Sequence, residues 1–319
     1  MDCNIKMQQN RNSRIVAIGN FDGLHLGHRA LLEELHNKSA KMNLTAGVMT
    51  FEPHPLKFFS GKGPDLFFTK EQKRDFLYRF FAVDEVYFLP FDSVLANLSP
   101  RQFVQEILVD KYNCRHVIVG FNFLFAKDVA GNAELLRDIC RDYDINVSII
   151  PPVVCNYGLI SSSSIRAKLV QGDLEAANSM LGYCYFISGK VIKGQQLGRT
   201  IDFPTANIVP PEHNPLPAYG VYAVRGECDG QTWDGMANLG YRPTVARQKQ
   251  LLLEVHLFNE KDLDLYGREL RIYFCHHLRP ERCFSNFEQL KDQLTKDYAD
   301  TKRYFEHFSG NQHLPKPIK

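Results

Sequence analysis

Residues 19–28 read GNFDGLHLGH, and their reading decides the first half of the chain. Three glycines, two histidines and an aspartate crowd the end of the apolar run RIVAIGNF (14–21). Directly behind them HRALLEELHNKSAKM (28–42) places Ala30, Leu31, Leu35 and Met42 on one helical face. A strand that turns through glycines into a helix presents the helix's unpaired N–H groups and its positive dipole end, a seat for anions. Gly23 and Gly27 let the backbone approach phosphate oxygens. His25 and His28, three residues apart, can turn their imidazoles toward one site. The plain alternative is that Asp22 and His28 merely cap the helix. A Walker-type G-x-x-x-x-G-K-[ST] loop occurs nowhere in the chain.

Outward from this stretch, strand and helix signals alternate. LTAGVMTF (44–51), EVYFLPF (85–91), RHVIVGFNF (115–123) and INVSII (145–150) are strand-like. KEQKRDFLYRFF (70–81), PRQFVQEILVDKY (100–112) and NAELLRDICRDY (132–143) are helical. The alternation predicts an α/β domain, a parallel sheet with helices on both faces. Ligands of such sheets bind beyond the carboxyl ends of the strands. The segment 161–182 reads as a helix broken at Gly172-Asp173. Beyond it, CYFISGKVIKG (184–194), LLLEVHLF (251–258) and ELRIYFCHHLR (269–279) are short β-runs with glycine turns. They predict a small antiparallel β-barrel. Two helical stretches, 285–299 and 301–308, follow. The boundaries expected are 1–182 for the first domain, 183–310 for the second and 311–319 for a flexible tail.

Composition agrees with two folded domains. The 319 residues are 44% hydrophobic, enough for two cores, and the formal net charge of +2 is spread without basic runs. That balance points away from nucleic acid as a partner. No apolar run approaches the roughly 20 residues that span a bilayer, so no membrane partner is expected. Eight dispersed cysteines form no C-x-x-C pair, and reduced thiols in a cytoplasmic protein are expected. The polar start MDCNIKMQQNRNSR has no secretory h-region.

Further motifs suit phosphate chemistry. FEPHP (51–55) is a rigid turn that aims His54 outward. SSSSIR (161–166) sets Ser161 and Ser162 at a helix start, followed by Arg166, whose guanidinium can grip a polyphosphate. In order, GNFDGLHLGH, FEPHP, VGFNFLFAKDVAGNAELL and SSSSIR resemble the adenylyltransferase module of the bacterial bifunctional riboflavin kinase/FMN adenylyltransferases, the prokaryotic-type FAD synthetases. That module belongs to the HxGH nucleotidyltransferase superfamily. The resemblance implies that Gly19, Asn20, Phe21, Gly23, His25, His28, Ser161, Ser162 and Arg166 bind ATP. It also implies that His25 and His28 act in catalysis, and that His54 and Asn122 meet the flavin. Ser163 stands where the family has threonine, Ala126 where it often has glycine, and Leu124 where many members carry arginine.

In the second half, GQQLGRTIDFPTANI (194–208) puts Gly194 and Gly198 in a phosphate-covering turn. Thr205 and Asn207, two apart, share one face of an extended segment and offer hard oxygen ligands to Mg²⁺. Glu254 interrupts an apolar strand, as a structural ion-pair partner or as a base for an alcohol. GRTIDFPTANI, YGVYAV, ANLGYRPTV, LEVHLF and DLYGRELRIYF resemble the riboflavin kinase module of the same family. The resemblance implies a six-stranded barrel in which Thr205 and Asn207 would handle Mg-ATP, Glu254 would activate the ribityl hydroxyl, and Arg242, Tyr266 and Gly267 would border the flavin. Asp202 replaces the family's glycine before FPTAN. The function expected is phosphorylation of riboflavin to FMN and adenylylation of FMN to FAD, with Mg²⁺ as cofactor and small molecules as the partners of a monomer or weak homo-oligomer. Two other readings are a kinase with weakened adenylyl transfer and a flavin-binding protein without chemistry.

Overall fold

The computed structural model describes residues 13–127, 130–193, 203–212, 214–243, 249–258, 264–307 and 313–318. Their contacts form two units, one ending at Ser162 and joined by Lys316–Lys319, the other spanning Ser163–Pro315.

The first unit carries five parallel strands, β1 (Arg14–Ile18), β2 (Thr45–Glu52), β3 (Glu85–Pro90), β4 (Cys114–Gly120) and β5 (Asn146–Ile150), in the order β3-β2-β1-β4-β5. Each is short and β-branched-rich, and alternate side chains serve opposite faces. Val16, Ile18, Val117 and Val119 pack with Val104, Leu108, Leu136 and Ile139 on one side. Helix α1 (Leu26–Met42) turns Leu31, Leu32 and Leu35 inward, and it lies against β1, β2 and β4. Pro55–Ser60 forms a short helix α2 where the sequence suggested only a turn. Proline at its first position lacks an N–H that a helix start would leave unpaired anyway. Helix α3 (Lys70–Phe80) opens with a Thr69–Gln72 capping box. The helical stretch predicted from residue 100 opens over Pro100–Gln102 and widens into π-helical turns over Phe103–Lys111, where the Tyr112 N–H donates to the Ile107 carbonyl at 3.2 Å. Helix α4 (Ala133–Arg141) completes the layer.

In the second unit α5 (Ser162–Val170) and α6 (Leu174–Leu181) precede a closed barrel. The strands are β6 (Phe186–Ile192), β7 (Ala206–Ile208), β8 (Gly220–Cys228), β9 (Gln231–Pro243), β10 (Lys249–Leu257) and β11 (Glu269–Pro280), ordered β6-β7-β10-β9-β8-β11. Every barrel ladder is antiparallel. Closure leaves no edge strand for pairing with other chains. Gly235 is required where β9 crosses β10, because a Cβ there would stand 2.4 Å from the His256 carbonyl oxygen. The Asn178 side chain ties α6 to the barrel, accepting from the Tyr185 N–H at 2.8 Å and donating to the Phe274 carbonyl at 2.9 Å. Contacts divide the chain after Ser162, while the pattern change in the sequence lies at Gly182; α5 and α6 fill the interval.

Two expectations are corrected. The two closing helices are one, α7 (Phe287–His307), because the stretch between them holds no proline or glycine and the Thr301 hydroxyl bonds the Asp297 carbonyl at 2.7 Å. The Asp297 carboxylate takes both ends of the Arg279 guanidinium, at 2.9 and 2.7 Å. The terminal stretch is anchored at its described residues rather than loose. His313 is fully buried, its Nδ1 accepting from Arg225 at 3.2 Å, and the Ile318 N–H donates to the Phe80 carbonyl at 2.8 Å.

Candidate functional site

The strand order reverses direction at β1: the chain steps outward through β2 and β3, then returns to the other side of β1 with β4. The loops after β1 and β4 therefore flank a crevice at the carboxyl ends, where parallel sheets bind ligands. GNFDGLH fills the first loop. Phe21, Gly23 and Leu24 adopt left-handed backbone conformations, with φ of 47°, 82° and 38°. For side chains other than glycine this costs about 1–2 kcal/mol each, so packing must hold the loop. It does. Phe21 and Leu24 are buried, the Asp22 carboxylate accepts the Phe67 N–H at 3.0 Å, and the Phe67 ring lies 3.0 Å from where a Gly23 Cβ would stand. Ser162 donates its hydroxyl to the Asp22 carbonyl at 2.8 Å, which brings the start of SSSSIR to the same loop.

His25 ends the loop and caps α1: its Nδ1 accepts the His28 N–H at 3.3 Å. The capping expected of Asp22 and His28 thus falls to His25, while Asp22 holds the Phe67 segment. The two imidazoles stack, with ring centroids 3.7 Å apart and planes 17° from parallel. Burial, His25 and the Lys73 charge together push the His28 pKa well below the usual range. His28 Nδ1 is buried without a hydrogen-bond partner. Beneath the loop the Lys73 ammonium of α3 donates to the Asn20 carbonyl at 2.7 Å, and the Thr50 hydroxyl donates to the same oxygen at 3.0 Å. A stacked imidazole pair, loop N–H groups and a helix N-terminus together form a cradle for an anion.

The other residues expected here sit on several separate elements. His54 caps α2, its Nδ1 accepting the Leu56 N–H at 3.2 Å. Beside it Phe58 and Phe59, 40% and 62% exposed, stand edge-on to Phe91. Asn122 is exposed just beyond β4, and Ser161 is half-buried before α5. Arg166 lies one helical turn beyond Ser162 and groups with the second unit.

In the barrel, register builds the second cluster. Asn207 pairs with Glu254, and Glu254 pairs with Asn238, so three polar side chains lie in one row across β7, β10 and β9. Asn207 is 6% exposed and Glu254 7%, both far below what solvated carboxylates and amides show. Thr205 is exposed two residues before Asn207. Ile192 of β6 is the next member of the row, and one residue away Val191 bridges Tyr266 and accepts the Gly267 N–H at 2.9 Å. Gly194, Gly198 and Asp202 lie outside the described residues, as does the Arg242 side chain.

Comparison with known proteins matches each unit to its own model. Residues 7–164 match the family model described as FAD synthetase, and residues 181–305 that of riboflavin kinase. A bifunctional riboflavin kinase/FMN adenylyltransferase of Buchnera aphidicola is 36% identical over 304 residues, 95% of this chain and 96% of its own length. The chain belongs to the bifunctional riboflavin kinase/FMN adenylyltransferase family. Proteins of that name from Bacillus subtilis and Escherichia coli are 36% and 38% identical. They cover 94% and 91% of this chain, and 95% and 92% of each relative. A crystal structure from Streptococcus pneumoniae, described as a macrolide-efflux protein, superposes with a TM-score of 0.82 at 32% identity, over 91% of this chain and 94% of that one.

Within this bifunctional family fold, Ala126 stands in the left-handed region, φ 67°, which accounts for the glycine that the resemblance sets there. Lys73, Asn238 and the Phe58–Phe59–Phe91 group escaped the sequence reading. Lys73 lies 53 residues from its partner Asn20, and Asn238 is tied to Glu254 only through barrel register.

Proposed function

We propose that this chain makes FAD from riboflavin in two ATP-dependent steps, one in each unit. Carrying the reading is the coincidence, in one chain, of two family matches with two separate polar clusters of the matching kind. In the first unit a phosphate oxygen of FMN attacks the α-phosphorus of ATP, the α–β bridging P–O bond breaks and pyrophosphate leaves. Gly19, Asn20, Phe21, Gly23, Ser161 and Ser162 bind the nucleotide. His25 and His28 donate hydrogen bonds to the phosphate oxygens on which charge grows, the service that preorganised donors give to any displaced oxyanion. His54 and Asn122 meet the flavin, whose flat apolar ring suits the exposed aromatic group at Phe58 and Phe59.

In the barrel the ribityl 5′-hydroxyl of riboflavin attacks the γ-phosphorus, its proton passes to Glu254, and ADP leaves. A carboxylate at 7% exposure is poorly solvated, which favours its acting as a proton acceptor at short range. Asn238 orients it from the neighbouring strand. Arg242, Tyr266 and Gly267 border the flavin, and Gly194 and Gly198 the phosphates. A hydroxyl and an amide oxygen at Thr205 and Asn207 are the hard oxygens that suit Mg²⁺ shared with a nucleotide. Among the described residues no group of three or more His, Cys, Asp or Glu could hold a metal ion. Bound at Thr205 and Asn207, Mg²⁺ would neutralise phosphate charge.

Among the described residues no helix is long and apolar enough to cross a membrane, and the described cysteines are free. We place the protein in the cytoplasm, acting on riboflavin, FMN and ATP without nucleic acid, as a monomer or weak homo-oligomer. The test is a time course of purified protein with riboflavin, ATP and Mg²⁺, separated by chromatography. FMN should rise first and FAD should follow. FMN without FAD would leave only the kinase, and neither product would leave a binding protein.

A further inference from the structure

Lys73 is the one charged residue of α3 that is turned inward, 6% exposed, and an isolated buried ammonium is unfavourable unless it does something there. Its Nζ sits 2.7 Å from the Asn20 carbonyl oxygen. A second buried donor, the fully buried Thr50 hydroxyl, reaches that oxygen at 3.0 Å. Two donors on one carbonyl hold the Asn20–Phe21 peptide unit in a single orientation. Because a trans peptide is planar, a C=O turned toward Lys73 turns the Phe21 N–H the opposite way. Phe21 is itself held at φ 47°, a conformation that the loop would leave if this peptide were free to rotate.

We infer that Lys73 is a positioning residue for adenylyl transfer: by pinning the Asn20 carbonyl it keeps the Phe21 N–H presented to nucleotide phosphate. This rests on the function proposed above. Two further observations agree with it. Burial lowers the Lys73 pKa, while Asp22 of the loop and Glu52 at the end of β2 oppose that change and help keep the ammonium charged. After burial and His25, the Lys73 charge is also among the causes that lower the His28 pKa, so its field reaches both parts of the anion cradle.

The test uses the full-length protein, whose riboflavin phosphorylation is an internal control for folding. In Lys73→Met, kcat for FAD formation from FMN and ATP should fall about 100-fold, the scale on which one preorganised donor is lost. The KM for ATP should change much less, and riboflavin phosphorylation should stay within about twofold. The acid limb of the adenylylation pH profile should move only slightly to higher pH, since the Lys73 charge merely adds to the burial that depresses His28. Thr50→Val, nearly isosteric, removes the second donor and should lower kcat for FAD formation several-fold with phosphorylation unchanged. It decides the matter should Lys73→Met not fold. Unaltered FAD formation in either folded variant, or equal loss of both activities in Thr50→Val, overturns the inference. Wild-type protein that makes no FAD overturns instead the function on which it rests.

Discussion

Glu254 is polar in a strand whose neighbours Leu253 and Val255 are almost wholly buried. Across the sheet it stands in register with two amide residues, Asn207 and Asn238. Glu254→Gln keeps the shape and removes the base. Riboflavin phosphorylation should fall by about 10²–10⁴-fold, the range for loss of a positioned acid–base group, with FMN adenylylation unaffected. A steady-state assay of each half-reaction reads this, and equal loss of both would mean a structural carboxylate. At Ala126 the question is stability. With φ at 67° a methyl group is strained where glycine is not, so Ala126→Gly should raise unfolding free energy by up to about 1 kcal/mol. A urea titration detects that. An unchanged or lowered midpoint would mean that the lost chain entropy of glycine outweighs the relieved strain.

At the scale of elements, β4 shows how the sheet stores acid sensitivity. His116 is 5% exposed on this strand, its Nε2 2.9 Å from the Ser148 hydroxyl of β5, and its Nδ1 has no partner. Burial pushes its pKa down to about 4; Lys38 adds to the fall and Glu34 opposes it. An unfolded histidine protonates near 6.5, so between pH 6.5 and about 4 the unfolded chain binds the extra proton. Stability is therefore full above 6.5 and drains away as pH falls through that window. His116→Gln should flatten this dependence in urea midpoints measured at pH 7 and 5. Parallel slopes for variant and wild type would sink the assignment. The elements themselves were largely readable, because apolar periodicity switches between two and 3.6 along the first half and stays near two along the barrel. The single helix α7 was not, since polar Asp300 and Thr301 look like a break until Thr301 is found fully buried. Strand order in the barrel was not readable either. Six antiparallel runs allow many closures, and the register of β9 on β10 that places Asn238 beside Glu254 leaves no mark in the sequence. His28 and His25 were legible as a pair, whereas the cap that His25 supplies depends on the backbone of residue 24, left-handed at φ 38°.

For the molecule as a whole, the consequence of two separately built sites is that FMN is the product of one and the substrate of the other. The stacked His25–His28 pair lies in the first unit and Glu254 in the second, with separate cores and separate sheets. His28→Ala should cut FAD formation at least about 100-fold and leave FMN production nearly intact. Glu254→Gln should do the reverse. Neither variant alone converts riboflavin to FAD at a useful rate. Mixed together, each supplies what the other lacks, provided FMN leaves the barrel and diffuses. FAD should then appear after a lag that shortens as the His28→Ala protein is raised, because FMN must first accumulate toward its working concentration. Adding FMN at the start should abolish the lag. If the mixture makes FMN and no FAD, while Glu254→Gln protein still adenylylates added FMN at the wild-type rate, then FMN made in the barrel does not reach a second molecule, and the two units work as one committed pair.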